Sequence, residues 1–168
     1  MPQFVPLAEI DDAAVEHLLD RAFGSDRHTR TAYKVREHTA PIAALSLALV
    51  DGDALIGTIQ CWPVALTDDD GRVWPMVMVG PVAIDPPRQQ RGLGHRLMEQ
   101  MLTAATAIGA SERLMLVGDP EYYGRFFGFT ADRTSAWRLP GPVDRHRLLA
   151  RGAEIPDRPG LLGPHTEN

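Results

Sequence analysis

The chain of 168 residues holds a single cysteine, Cys61, so no disulfide can form within it and a reducing compartment fits. Lysine is almost missing too: Lys34 is the only one, and the other side chains of its class are all arginine. Positive charge is in deficit overall, with net charge −5, which argues against nucleic acid as the main partner. No stretch approaches the ~18 consecutive apolar residues of a membrane span. The first ten residues carry neither a basic region nor an apolar run of signal-peptide length, so the expectation is a cytoplasmic protein without a membrane partner. The six histidines lack metal-ligand spacing, so no metal is expected. A nucleotide P-loop is excluded because no Gly-Lys-Ser/Thr is found, and the Gly-x-Gly-x-x-Gly dinucleotide fingerprint is absent.

What remains is a globular composition, 44% hydrophobic and 23% charged, over a length that suits one ordinary domain with one core. Glu9 to Phe23 reads as a first helix, capped by Asp11 or Asp12, with Ile10, Ala14, Leu18 and Ala22 on one face and Gly24 as its stop. Ser25 to His38 is polar and fits a second helix or a substrate-contacting loop. Leu45–Val50 and Ala54–Val64 flank Asp51-Gly52-Asp53, a strong hairpin signal. Asp68, Asp69 and Asp70 read as a solvated turn leading into a long strand, Val73–Ile84. Gly80-Pro81 should bend or bulge that strand, since proline cannot donate to a ladder. Cys61, Met76, Met78, Met98 and Met101 read as packed core side chains.

The most informative stretch runs from Val79 to Ile108. It reads as a strand, the basic turn Arg88-Gln89-Gln90-Arg91-Gly92-Leu93-Gly94, and a helix with Leu97, Met101, Ala104 or Ala105, and Ile108 in its stripe. The first N–H groups of a helix lack internal partners and carry partial positive charge, so an anion binds there if the chain can approach. Gly92 and Gly94 remove the obstructing Cβ atoms, and Arg88, Arg91 and Arg96 bring three cations to an otherwise acidic protein. Leu114–Val117 then reads as a buried strand, and Gly118-Asp119-Pro120 as the start of a short helix carrying Tyr122 and Tyr123. Phe129 onward reads as a last strand. Past Trp137 prolines and glycines accumulate. An irregular arm is expected there, with a helical patch around Asp144 to Ala150 and a disordered last few residues.

Gln89-Gln90-Arg91-Gly92-Leu93-Gly94 resembles the Gln/Arg-x-x-Gly-x-Gly/Ala signature of the GNAT N-acetyltransferases. Tyr122-Tyr123-Gly124-Arg125-Phe126-Phe127-Gly128-Phe129 is similar to that family's Tyr-x-x-x-Gly-Phe element, and order and spacing match from about Ile10 to Arg133. Gly118–Tyr123 together with Val79–Val82 is similar to a bacterial subgroup of predicted acetyltransferases. The resemblance implies an α/β fold: a mixed, twisted sheet flanked by helices, whose fourth and fifth strands splay around acetyl-CoA. In these terms residues 1–136 form the acetyltransferase domain and 137–168 an arm packed on it. Backbone groups of Val82, Ala83 and Ile84 would pair with the pantetheine arm. N–H groups of Gln89, Gln90, Arg91, Gly92, Leu93, Gly94 and His95 would hold the pyrophosphate.

The implied reaction passes an acetyl group from a thioester to an amine of a small molecule or protein. It needs a proton donor for the departing thiolate, and a neutral tyrosine suits that role. Tyr123 lies five residues before Gly128 where the family has four, so Tyr123 and Tyr122 are both candidate catalytic acids. No general base stands out among Glu37, His28, His38, Asp119 and Glu121. Two other functions fit the same residues: a CoA-binding sensor with little turnover, and a transferase for a longer acyl-CoA. A homodimer is the default for a small enzyme.

Overall fold

A computed structural model describes residues 2–166. In chain order the elements are β1 (Gln3–Pro6), α1 (Asp12–Phe23), α2 (Thr31–Val35), β2 (Leu47–Asp51), β3 (Ala54–Asp68), β4 (Val73–Ile84) and α3 (Leu93–Ala107). There follow β5 (Leu114–Val117), α4 (Pro120–Phe127), β6 (Trp137–Arg138), β7 (Leu148–Arg151) and β8 (Gly160–Pro164). Hydrogen-bonded neighbours run β1-β2-β3-β4-β5-β7, with β8 pairing β3 and β6, so the sheet is mixed and open. β4 and β5 are parallel and register over only Val77↔Leu114 and Met78↔Met115, although β4 continues to Ile84 and β5 to Val117.

Two compact units share the chain. The first comprises residues up to Thr29, Pro41–Cys61 and Gly80–Ile108. Here α1 begins after Asp11, whose side chain makes no cap hydrogen bond, and ends at Gly24, whose N–H closes on the Asp20 carbonyl. The expected start at Glu9 is displaced, because Leu7–Glu9 forms a separate 3-10 turn. The buried face is Val15, Leu18 and Leu19, packed with Leu7, Ala48 and Ala83, and Ile10 and Ala22 of the expected stripe pack against it partly buried, while Val15 takes the place expected of Ala14. The Asp51-Gly52-Asp53 hairpin forms as expected, with Ala48 opposite Thr58 and Asp51 opposite Ala54. In α3 Leu97, Met98, Met101 and Ala105 are buried, whereas Ile108 caps the helix end and is half-exposed. Gly57 admits the close approach of Leu97 and Ile84, since a Cβ there would stand 3.2 Å and 3.0 Å from their side chains. Cys61 is fully buried, and burial pushes its thiol far above the usual range.

Of the two readings of Ser25–His38, helix or loop, a single continuous helix is not formed. A 3-10 turn over Arg27–Thr29 precedes the single helical turn of α2. Arg27 is 1% exposed, with its guanidinium held by Asp20 and Glu16 of α1. A buried cation persists only when carboxylates meet it, and both lie on the preceding helix.

The second unit comprises Arg30–Ala40, Trp62–Val79 and Gly109 onward. Its core joins Val64, Leu66, Met76, Met78, Met115 and Trp137. Trp137 is fully buried and donates its Nε1–H to the Pro156 carbonyl at 3.1 Å. Arg36 is stacked between the rings of Tyr33 and Trp62, 4.1 Å and 3.8 Å from their centroids.

Asp68 is not part of a solvated turn. It is 6% exposed, and its carboxylate accepts from the N–H groups of Asp70 and Arg72, both at 2.9 Å, and from Trp74 Nε1 at 3.0 Å. The hairpin is thus wrapped around one side chain. Its Trp74 hydrogen bond holds the carboxyl below the ordinary carboxylate range.

The C-terminal segment departs from the expected irregular arm. Phe129 onward makes only an isolated bridge, Thr130 to Ala150, and the helical patch shrinks to a 3-10 turn over Arg145–Arg147. β7 pairs antiparallel with β5 along Leu114–Val117, and β8 with β3 along Val64–Asp68. The prolines and glycines lie largely between these strands. Partners distant in sequence supply the ladders. The expected disorder at the last residues falls on Glu167 and Asn168, which lie outside the described residues.

Candidate active site

β4 delivers the chain to the first part of the site. Gly80 has φ +127° and precedes a cis Gly80–Pro81 bond, after which Val82, Ala83 and Ile84 continue the strand. Ala83 is fully buried, whereas Val82 and Ile84 are partly exposed. A 3-10 turn over Pro86–Arg88 follows, with proline at a position where the missing N–H costs nothing. Gln89 then folds back, its Nε2 donating to the Ile84 carbonyl at 3.2 Å and its own N–H to the Pro86 carbonyl at 3.3 Å. That N–H is therefore already engaged within the turn.

Gln90 and Gly92 both adopt positive φ, +66° and +74°. Left-handed residues interleaved in a turn are the backbone pattern that gathers N–H groups into an anion-binding concavity. Gly92 is the N-cap of α3 and no side chain caps this end, so the first-turn N–H groups of Leu93, Gly94 and His95 face outward from a 15-residue helix. Nothing lies within 4 Å of a Cβ built on Gly92, and one on Gly94 would meet only Val82 and Ile84, at 3.8 Å and 3.9 Å. The protein's own packing leaves this space open, and a pyrophosphate fits the donor set.

The three arginines have separate fates. Arg88 is paired with Asp51 at 2.8 Å, which holds the Asp51 carboxyl below its ordinary range. Arg96 lies over the Phe4 ring, 5.4 Å from its centroid. Arg91 is exposed on the turn itself. His95 sits 3.6 Å from Glu99, one turn along the helix.

The tyrosines belong to the second unit. Asp119 caps α4 by accepting the Glu121 N–H at 3.0 Å, so this candidate base is committed to the helix start. Gly128 ends α4 at φ +73°, with the Phe129 N–H on the Tyr123 carbonyl at 3.2 Å. The two tyrosine rings meet edge to face, with centroids 5.0 Å apart, and Tyr123 also packs on Phe129 at 6.2 Å. A Cβ on Gly118 would stand 2.6 Å from the Tyr123 ring, so a side chain at 118 would evict it. Sequence inspection missed this support, although a glycine just before Asp-Pro was its signal. Burial pushes the Tyr123 phenol up to about 12, with Tyr122 and Asp119 adding to the rise and Arg147 opposing it. Tyr123 is thus held protonated at neutral pH. Among the described residues no group of three or more His, Cys, Asp or Glu side chains is placed to hold a metal.

Comparison with known proteins converges with this geometry. Residues 6–131 match the family model described as the acetyltransferase (GNAT) domain. Over 146 residues, 83% of this chain and 83% of the relative, the sequence is 30% identical to the uncharacterised N-acetyltransferase YhbS of Escherichia coli strain K12. The solved structure of Escherichia coli YhbS in complex with CoA superposes with a TM-score of 0.71 at 25% identity, covering 98% of this chain and 89% of that one. A GNAT family acetyltransferase of Brucella melitensis, solved with acetyl-CoA, shares the fold with a TM-score of 0.59 at 24% identity, over 92% of this chain and 97% of that one. The chain belongs to the GNAT family of N-acetyltransferases.

Proposed function

We propose that this acetyltransferase takes its acyl group from acetyl-CoA and passes it directly to an amine of a small molecule or protein. The observation that carries this reading is the uncapped N-terminus of α3 behind the left-handed Gly92, with open space where a Cβ would stand. Backbone N–H groups from Gln90 to His95 hold the pyrophosphate, and Val82, Ala83 and Ile84 offer main-chain groups to the pantetheine arm. The bound donor supplies an activated thioester. Tyr123, protonated at neutral pH, gives its proton to the departing thiolate, although burial makes its phenol a weaker acid than an ordinary tyrosine. Tyr122, edge-on to that ring, is the alternative donor.

Calorimetry with acetyl-CoA on the full chain tests the first half, with saturable binding expected and no binding at millimolar cofactor overturning it. Competition among acyl-CoAs of rising chain length tests the acyl group. Acetyl-CoA is expected to bind and turn over best, and preference for a longer chain reassigns the donor. Release of CoA against a panel of amines, polyamines, aminoglycosides, amino acids and peptides identifies the acceptor. Binding without transfer to any of them favours the sensor.

A further inference from the structure

Proton donation leaves negative charge on the Tyr123 oxygen, and the helix that carries this residue works against that charge. Burial disfavours it first, and Tyr122 and the Asp119 carboxylate add to the penalty. A cation beside the hydroxyl offsets such a cost.

The strand register brings a cation there. β7 runs antiparallel to β5 with Leu148 opposite Val117, so Arg147 and Gly118, one residue further on each chain, are neighbours. The Gly118 N–H donates to the Arg147 carbonyl at 2.9 Å. Gly118 in turn lies against the hydroxyl end of Tyr123. A Cβ built on it would stand 2.6 Å from Cε2, the ring carbon next to the one that bears the hydroxyl, and 2.9 Å from Cδ2. A single glycine therefore separates the Arg147 main chain from the hydroxyl end of the ring. All three residues belong to the second unit.

Arg147 is held from its other side as well. Asp144 caps the 3-10 turn over Arg145–Arg147, its side chain accepting the His146 N–H at 3.0 Å and its carbonyl the Arg147 N–H at 2.9 Å. The other guanidinium of that turn, on Arg145, is taken by the Trp137 carbonyl. The Arg147 side chain is exposed and forms no ion pair among the described residues, so no carboxylate cancels its charge. Its field acts on Tyr123 against the effect of burial.

We propose that Arg147 is a positioning residue for the acid step, its guanidinium stabilising the negative charge that grows on the Tyr123 oxygen as the proton leaves. The C–S bond breaks with its electron pair on sulfur, the proton passes from the Tyr123 oxygen to that sulfur, and the tyrosinate stays beside the cation until solvent reprotonates it. The inference rests on the reading of Tyr123 as proton donor. Because the guanidinium is exposed, its contribution is modest and screened by salt.

The test compares Arg147→Met, which keeps an unbranched apolar stem, with Arg147→Lys, which keeps the charge. In the full chain labelled with 3-fluorotyrosine, the fluorine signal of Tyr123, assigned by its loss in Tyr123→Phe, is expected to titrate at higher pH in Arg147→Met and near the parent value in Arg147→Lys. CoA release from acetyl-CoA with water as the acceptor is expected to slow about threefold in Arg147→Met, with KM for acetyl-CoA unchanged, and to recover in Arg147→Lys. Added salt should slow the parent towards the Arg147→Met rate. An unmoved fluorine titration overturns the inference, as does undiminished release in Arg147→Met where Tyr123→Phe lowers it; the donor reading survives either result. Undiminished release in Tyr123→Phe removes the donor reading, and this inference with it.

Discussion

At the scale of single residues, the two glycines of the α3 turn are separable. Gly92 needs its positive φ, and an L side chain in the left-handed region costs about 1 kcal/mol or somewhat more. Gly94 is in ordinary helical backbone, and a Cβ there meets Val82 and Ile84 at comfortable distance. Gly92→Ala is therefore expected to lower both thermal stability and acetyl-CoA affinity, while Gly94→Ala leaves the melting temperature nearly unchanged; melts and calorimetry on both variants decide it. Tyr123 carries a different signature. Its phenol is raised from the ordinary 10 to about 12, so the folded state keeps a proton that the unfolded chain loses first. The resulting stability is fully present below pH ~10 and lost as pH rises towards ~12, on the order of 3 kcal/mol. Tyr123→Phe should abolish that alkaline limb in pH-dependent denaturation. As the proposed proton donor, it should also lower kcat about a hundredfold with KM for acetyl-CoA little changed.

At the scale of elements, the β3–β4 hairpin depends on Asp68. Its carboxyl lies below the ordinary range chiefly through Trp74, so its stabilisation is present above the unfolded pKa of about 4 and disappears as pH falls through the folded value. Asp68→Asn is expected to lower the melting temperature at neutral pH and to flatten the acid limb of stability below pH ~4; melts across that range check both. The same element marks what the sequence could convey. Its limits, Val73–Ile84, and the Asp51-Gly52-Asp53 turn announce themselves through local chemistry, as does the Gly92 start of α3. Asp68 looked like one of three solvated aspartates, because nothing local says which carboxylate turns inward. β6, β7 and β8 were hidden for a related reason. They are two to five residues long and take their hydrogen bonds from β3, β5 and each other, partners that no window of sequence contains. In the candidate site the phosphate turn was legible from glycines and charge. The engagement of Arg88 by Asp51 and the packing of Gly118 under Tyr123 were not, since both are contacts rather than patterns.

At the scale of the whole molecule, a net charge of −5 opposes an anionic donor, and local cations must offset it. Arg91 is the exposed cation of the turn, whereas Arg88 is neutralised by its partner. Affinity for CoA is therefore expected to fall with ionic strength. Arg91→Ala should weaken it by up to about fivefold at low salt and flatten that dependence. Arg88→Ala should do less, and titrations at several salt concentrations compare them. The lone thiol has a practical consequence at this scale. A fully buried Cys61 with its proton held tightly is silent towards thiol reagents while the chain stays folded. A chromogenic disulfide added during turnover therefore counts released CoA against almost no background. Without an acceptor, the same reagent becomes a clock for opening of the core, running slower when bound acetyl-CoA stabilises the native state.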